Sequence, residues 1–210
     1  DQGKLEEAIE AFNKSLIIKP DNADTHNNVG SVLQQQGKLD AAIESYNKAL
    51  ALKPDDAEAY NNMGSTYLKK YNFKKGFELL EWRWKTAQQV GSKLLSSKSE
   101  WNGAYNQRVL VYSEQGIGDV IMFASIILDL HKISSEVIIC CDDRLIPLFR
   151  RSFPKDIIYY SKHDRVSESL YDAHIPLGSL PLYLRPDLES FNQSSGQYLK
   201  ANSKFSADLR

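Results

Sequence analysis

Gly37–Asp56 reads GKLDAAIESYNKALALKPDD, and Gly3–Asn22 reads GKLEEAIEAFNKSLIIKPDN. The two stretches align without a gap at an offset of 34 residues, Gly3 onto Gly37. The echo extends outward, with Asn27-Asn28 returning as Asn61-Asn62 and Gly30 as Gly64. A period of this length marks a stack of helical pairs, each burying its apolar face on the next. Leu5, Ala8, Ile9, Phe12 and Leu16 form the apolar stripe of one helix, and Leu39, Ala42, Ile43, Tyr46 and Leu50 form the next. Gly30 and Gly64 fall inside helices, where glycine costs about 1 kcal/mol relative to Ala. That cost is tolerated where a side chain would collide with the paired helix. Pro20 and Pro54 end the second helix of each pair, because proline cannot continue one.

Over residues 1 to 86 this pattern resembles the tetratricopeptide family, with half a repeat, one full repeat and a degenerate third. In the third, Gly76 replaces the small Ala, Arg83 stands where Ala packs, and Glu81-Trp82-Arg83-Trp84-Lys85 replaces the Lys-Pro-Asp ending. A terminal repeat must meet something other than another repeat. Trp82 and Trp84 are therefore expected to dock a second domain or to cap the exposed core. The resemblance places Asn28 and Asn62 on the inner surface of the array. Carboxamides there both donate and accept, and a ladder of them suits an extended peptide backbone, as in repeats like those of O-linked N-acetylglucosamine transferase. A plain solvated helix face is the alternative. A protein or peptide is the expected partner.

Composition narrows the other classes. Apolar residues make up 42% of the 210 and charged residues 25%, the balance of a globular protein. Net charge is −1 from 26 basic and 27 acidic residues without a basic block, which argues against nucleic acid. The most apolar run, Ile117 to Leu130, is broken by Asp119 and Asp129, so no transmembrane segment is expected. No signal peptide is evident. Cys140 and Cys141 are adjacent, point to opposite faces of a strand and read as reduced thiols. The expected location is the cytoplasm, or the periphery of the inner membrane. Because Asp1 already lies within a repeat, the full array is expected to be longer.

From residue 108 the periodicity changes. Strands are expected at Arg108–Tyr112, Glu136–Cys141, Ile157–Tyr160 and Asp172–Ile175. The helix between the first two should bury Ile121, Ala124, Ile127, Leu128 and His131, and a second helix should run from Leu145 to Phe153. Alternating strands and helices imply a parallel, Rossmann-like sheet with helices on its faces. Ligands in such sheets bind beyond the carboxyl ends of the strands, where Glu114-Gln115-Gly116-Ile117-Gly118-Asp119 lies. Asp119 is a candidate N-cap as well as a candidate site carboxylate. The loop is not a dinucleotide fingerprint, since Ile121 stands in place of the third glycine, and no Walker loop is present.

Glu81 to Trp84, Trp101-Asn102-Gly103, Glu114 to Asp119 and Pro176 to Pro181, in that order, resemble a bacterial family. It joins tetratricopeptide repeats to a transferase related to lipopolysaccharide heptosyltransferases, glycosyltransferase family 9. The resemblance covers nearly the whole chain. It implies a helical repeat solenoid followed by the N-terminal half domain of a GT-B-type, metal-independent glycosyltransferase. It implies that Asp119 is the general base on the acceptor hydroxyl, although the helix N-terminus stabilises its carboxylate and weakens it in that role. Glu114, Gln115, Gly116, Gly118 and Ser179 would bind the acceptor, with His174 either lining the cleft or serving as a structural histidine. Asp172 and His174 are expected to close the fourth strand on the same sheet edge. No Asp-x-Asp spacing is present, so neither metal nor cofactor is expected.

The expected domains are a repeat array at 1–86, a linker at 87–107, an acceptor-side domain at 108–200 and the start of a link to a donor half at 201–210. The leading expectation is the repeat and acceptor portion of a glycosyltransferase, using a nucleotide sugar and a glycan, lipid-linked or protein acceptor. It should be inactive without the donor half. The alternative is an interaction module with a catalytically silent α/β domain.

Overall fold

A computed structural model describes residues 2–87, 91, 93–192 and 197–202. Residues 203–210 of the expected link lie outside them, as do 88–90 and 92 of the expected linker. The chain divides into two compact units, Asp1–Gly91 and Ser92–Arg210.

The first unit is a run of antiparallel helices: α1 (Gln2–Ile18), α2 (Ala23–Gln35), α3 (Leu39–Leu52), α4 (Ala57–Lys69) and α5 (Phe73–Leu80). Their starts repeat as faithfully as their apolar faces. Asn22 Oδ1 accepts the Thr25 N–H at 3.1 Å, and 34 residues on Asp56 Oδ1 accepts those of Glu58 and Ala59 at 3.1 Å. Each side chain satisfies N–H groups that the first turn leaves without helical partners. Ala42, Tyr46, Met63 and Leu79 form the centre of this core.

Close approach explains the glycines. A Cβ on Gly30 would lie 2.5 Å from Cε1 of the fully buried Tyr46 ring. Between α4 and α5 the approach is as close, because a Cβ on Gly76 would sit 2.5 Å from Leu68 Cδ2 and 3.1 Å from the Gly64 carbonyl oxygen. Gly76 in place of Ala thus lets α5 approach Leu68 and the Gly64 backbone closely. After α5 the chain tightens into a 3-10 helix, Glu81–Lys85. Arg83 is buried there, with Nη1 donating to Glu81 Oε1 at 2.5 Å. Trp82 stacks on Tyr60 of α4 with ring centroids 4.0 Å apart.

The second unit is built on strands β1 (Ser99–Glu100), β2 (Arg108–Tyr112), β3 (Glu136–Cys141), β4 (Ile158–Ser161) and β5 (Ala173–Pro176). All are parallel, in the order β1-β5-β2-β3-β4. The two-residue edge strand β1 carries no periodicity of its own. Its pairing comes from Ser99 and Glu100 lying beside Ala173 and His174. Trp101 follows it, 1% exposed, with Nε1 donating to the Ala104 carbonyl at 2.9 Å. Gly103 makes that tight return with φ of +92°, a conformation other residues rarely adopt.

Val109, Val111, Val137, Ile139, Ala173 and Ile175 pack beneath the helices in one core. These helices are α6 (Ile117–Phe123), α7 (Ile127–Ile133), α8 (Ile146–Ser152), α9 (Leu180–Leu184) and the short α10 (Glu189–Asn192). The expected single helix after β2 is in fact α6 and α7 joined by a 3-10 turn at Ala124–Ile126. Its buried positions are Val120, Ala124, Ile126, Ile127 and Leu130, whereas Ile121, Leu128 and His131 are only partly covered. The turn shifts the helical phase that a continuous helix would have kept.

Helices were also expected on both faces of the sheet. The other face, with Leu110, Ile138 and Tyr171, is covered instead by irregular chain that includes Leu94 and Val166. The β4–β5 crossover supplies Lys162-His163-Asp164-Arg165, too polar and too short of apolar positions to form a packing helix. The end of the expected acceptor-side domain, Gln197 to Lys200, lies along the helical face, with Tyr198 and Leu199 packed against its core. Tyr198 OH donates to the Ile121 carbonyl at 2.8 Å, and Arg151 Nε donates to that of Lys200 at 2.7 Å.

Candidate functional site

From β2 the chain steps outward to β3 and β4, then returns to place β5 on the other side of β2. Where strand order reverses, the loops beyond the carboxyl ends part and leave a crevice. Here the loops after β2 and β5 are also tied together. The Gly178 N–H donates to Glu114 Oε1 at 3.1 Å, and Gln115 Nε2 donates to the same oxygen at 3.3 Å. A Cβ on residue 178 would lie 2.4 Å from Gln115 Nε2 and 2.6 Å from Glu114 Oε1, so only glycine permits this clasp. Ser179 beside it is buried.

The clasp borders a cleft of about 510 Å³ lined by Glu114, Gln115, Gly116, Ile117, Asp142, Arg144 and Lys162, among others. Asp142 sits between two cations, Arg144 Nε at 2.8 Å and Lys162 Nζ at 2.9 Å. Hydrogen bonds from Arg144, then from Lys162, hold its carboxyl far below the usual carboxylate range. Gly116 is the N-cap of α6, and Asp119 stands in the first turn rather than at the cap. Asp119 is exposed, and no other described residue hydrogen-bonds or ion-pairs with its carboxylate. Its Oδ2 folds back to within 3.4 Å of where a Gly116 Cβ would be, toward the cleft wall. Gly118 is exposed one residue earlier.

Two expected members lie elsewhere. His174 is 4% exposed, on the sheet face bearing Leu110, with Nε2 3.1 Å from the Lys98 carbonyl and a ring neighbouring Tyr112 and Tyr171. Side chains alternate along a strand, and this alternation turns His174 away from the helical face that carries the cleft. Asp172 lies at the opposite, amino end of the strands. There Arg108 Nη2 donates to its Oδ1 at 2.6 Å and the Arg108 N–H to its Oδ2 at 3.0 Å. The Arg108 side-chain hydrogen bonds lower the Asp172 carboxyl to about 2. In a parallel sheet the two strand starts meet, so this pair staples β2 to β5 far from the ligand end.

Gly178, Asp142, Arg144 and Lys162 were not among the expected site residues. Gly178 nonetheless lies within Pro176 to Pro181, one of the four segments that carry the resemblance. Asp142 and Lys162 are each the first residue beyond a strand, a position that becomes meaningful only once the sheet order is known. Burial raises Cys140 to about 11 and Cys141 to about 12, and the Cys140 thiol donates to the Ser161 carbonyl at 3.2 Å.

The repeat unit has a cavity of about 340 Å³ at the amino ends of α2 and α4, with Asn27 and Asn28 among its lining residues. Asn28 is exposed there. Asn62 is not its equivalent rung. Its Nδ2 donates to Asn27 Oδ1 at 3.1 Å and it lies outside the cavity lining, so this amide helps hold α4 against α2. Gln34 strengthens the same seam by donating to Ser65 Oγ at 2.8 Å and Thr66 Oγ1 at 2.7 Å.

Among known sequences, the profile described as TPR repeat matches residues 1–37 and 30–70. Protein FlbA of Caulobacter vibrioides is 27% identical over 134 residues, 56% of this chain but 22% of FlbA. The chain thus spans about a fifth of that relative's length. Among solved structures, MamA is 26% identical over 39% of this chain and 48% of its own, with a TM-score of 0.37. The first TPR of Spaghetti (RPAP3), bound to an HSP90 peptide, is 25% identical over 40% of this chain and 67% of its own, with a TM-score of 0.38. Residues 1–70 are tetratricopeptide repeats, and a parallel-stranded α/β unit follows them in the same chain.

Proposed function

We propose that this chain is the recruiting and acceptor-side portion of a glycosyltransferase. On this reading the repeats hold a protein or peptide, and the switch-point cleft receives the hydroxyl of a glycan, lipid-linked or protein acceptor. The observation that carries it is the Glu114–Gly178 clasp, which gathers both switch-point loops beside the cleft bordered by Gly116. Asp119, exposed in the next turn, is the carboxylate available as general base. The four ordered motifs resembling the family that joins tetratricopeptide repeats to a GT-B-type transferase support the same reading. A nucleotide sugar bound by a second α/β half would supply the donor.

The test is to titrate sugar and sugar-phosphate acceptors while following backbone amide resonances. Shifts confined to residues 113–120 and 177–179 support the site. Saturating acceptors that leave those resonances unmoved overturn it.

A second reading keeps the repeats as a protein-interaction module and the α/β unit as catalytically silent. It is favoured by Lys162 and Arg144, the cleft's cations, both being spent on Asp142. Asp119→Asn separates the two readings in a chain carrying both α/β halves. Loss of sugar transfer supports the base, and unchanged turnover supports the silent module.

A further inference from the structure

The cleft beside the Glu114–Gly178 clasp is lined by two carboxylates, Glu114 and Asp142, and two cations, Arg144 and Lys162. Both cations converge on one carboxylate. Arg144 donates to Asp142 three times, from its N–H and Nε to Oδ1 at 3.1 and 2.8 Å and from Nη2 to Oδ2 at 3.1 Å. Lys162 Nζ adds a bond to Oδ2 at 2.9 Å. The Asp142 side chain is 14% exposed, against 73% for Arg144 and 45% for Lys162. The carboxylate is thus the fixed partner, and two long side chains that could reach a ligand fold back onto it. These bonds favour the ionised form, so Asp142 keeps its charge throughout the neutral range. Asp142 follows β3 and Lys162 follows β4, so a staple between the two strand ends needs Lys162 alone. Arg144 lies in the same loop as Asp142 and joins no second segment to it, yet its pairing withdraws the cleft's other cation. Glu114 is committed to the clasp, and Asp119 adds a further negative charge in the first turn of α6.

We propose that Asp142 is a specificity-determining residue that sets this cleft for an uncharged sugar and against a phosphorylated one. A phosphate entering the cleft finds both cations already neutralised and the carboxylates of Glu114, Asp142 and Asp119 around it, a like-charge juxtaposition that costs binding. A neutral sugar meets no such repulsion, and its hydroxyls can accept from the remaining N–H groups of the exposed Arg144 and Lys162. The proposal rests on the cleft being an acceptor site and narrows the class of acceptor.

The test follows backbone amide resonances of the 210-residue chain during titration with inorganic phosphate, glucose, mannose and the 6-phosphates of both sugars. In the parent chain each sugar should bind at least about tenfold more tightly than its 6-phosphate, read at residues 113–120. Inorganic phosphate should leave Arg144 and Lys162 unmoved. Asp142→Asn keeps the side-chain shape and an acceptor for the Arg144 N–H while freeing both cations. It should tighten inorganic phosphate and the 6-phosphates by at least about tenfold, with shifts at residues 142–144 and 162. Adding Arg144→Gln and Lys162→Gln should erase that gain, with circular dichroism confirming the fold of every variant. Binding of the 6-phosphates to the parent as tightly as the sugars overturns the selection and leaves the acceptor reading standing. An Asp142→Asn chain that gains no phosphate overturns it as well. A gain of phosphate by Asp142→Asn, with neither sugar bound by either chain, supports exclusion of anions by Asp142 and counts against the acceptor reading alone.

Discussion

The two units solve the same packing problem with contacts of different range. In the repeat unit each helix meets its sequence neighbours, so the close pairs Gly30–Tyr46 and Gly64–Gly76 lie less than 20 residues apart by subtraction of their numbers. In the α/β unit the central strand β2 pairs with β5, and Arg108 reaches Asp172 across 64 residues. Local contacts repeat in the letters. Distant ones depend on loop closures that leave no periodic trace. The repeat unit is therefore read from a pattern, and the α/β unit from where its strands settle.

Trp101→Ala should break the α/β side of this comparison most severely. The side chain is 1% exposed and its loss opens a large void, so about 3–5 kcal/mol should disappear from the urea transition of that unit. Far-ultraviolet ellipticity from the repeats should persist beyond it. Gly30→Ala is the counterpart in the repeats. A methyl 2.5 Å from a buried Tyr46 ring should cost about 1–3 kcal/mol through overpacking, although alanine favours the helix, and thermal denaturation measures the balance.

Gly178→Ala should be milder in stability and sharper in its site effect. Displacing Glu114 costs about 1 kcal/mol for the lost hydrogen bond and should abolish acceptor-induced shifts in residues 113–120. Retained shifts would show that the clasp does not shape the site. The smallest effect belongs to the exposed Arg108–Asp172 staple. Its carboxyl sits at about 2 in the folded chain, below the ordinary aspartate value of about 3.9. A depressed folded value means its stabilisation is present above the ordinary value and is lost as pH falls through about 2. Thermal melts across that acid range should show the loss in the parent chain and not in Asp172→Asn.

The candidate site was legible to the extent that it is local. Glu114 to Asp119 announces a strand-to-helix loop, and the structure places that loop at the carboxyl end of β2. The expectation for His174 depended on side-chain direction, which strand alternation and the Leu110 register decide. Asp172 depended on which end of the sheet it occupies, and parallel pairing put it at the amino end. Asn62 looked equivalent to Asn28 by position, but packing gave its amide to Asn27.

The letters by themselves determined the helical pairs, their 34-residue register, the helix-ending prolines and the glycines of close approach, because every one of these answers to a neighbour along the chain. Tertiary structure alone decided the strand order, the covering of one sheet face by irregular chain and the meeting of Glu114 with Gly178 across 64 residues. Those follow from which distant surfaces bury each other best, a competition settled only when the whole unit packs.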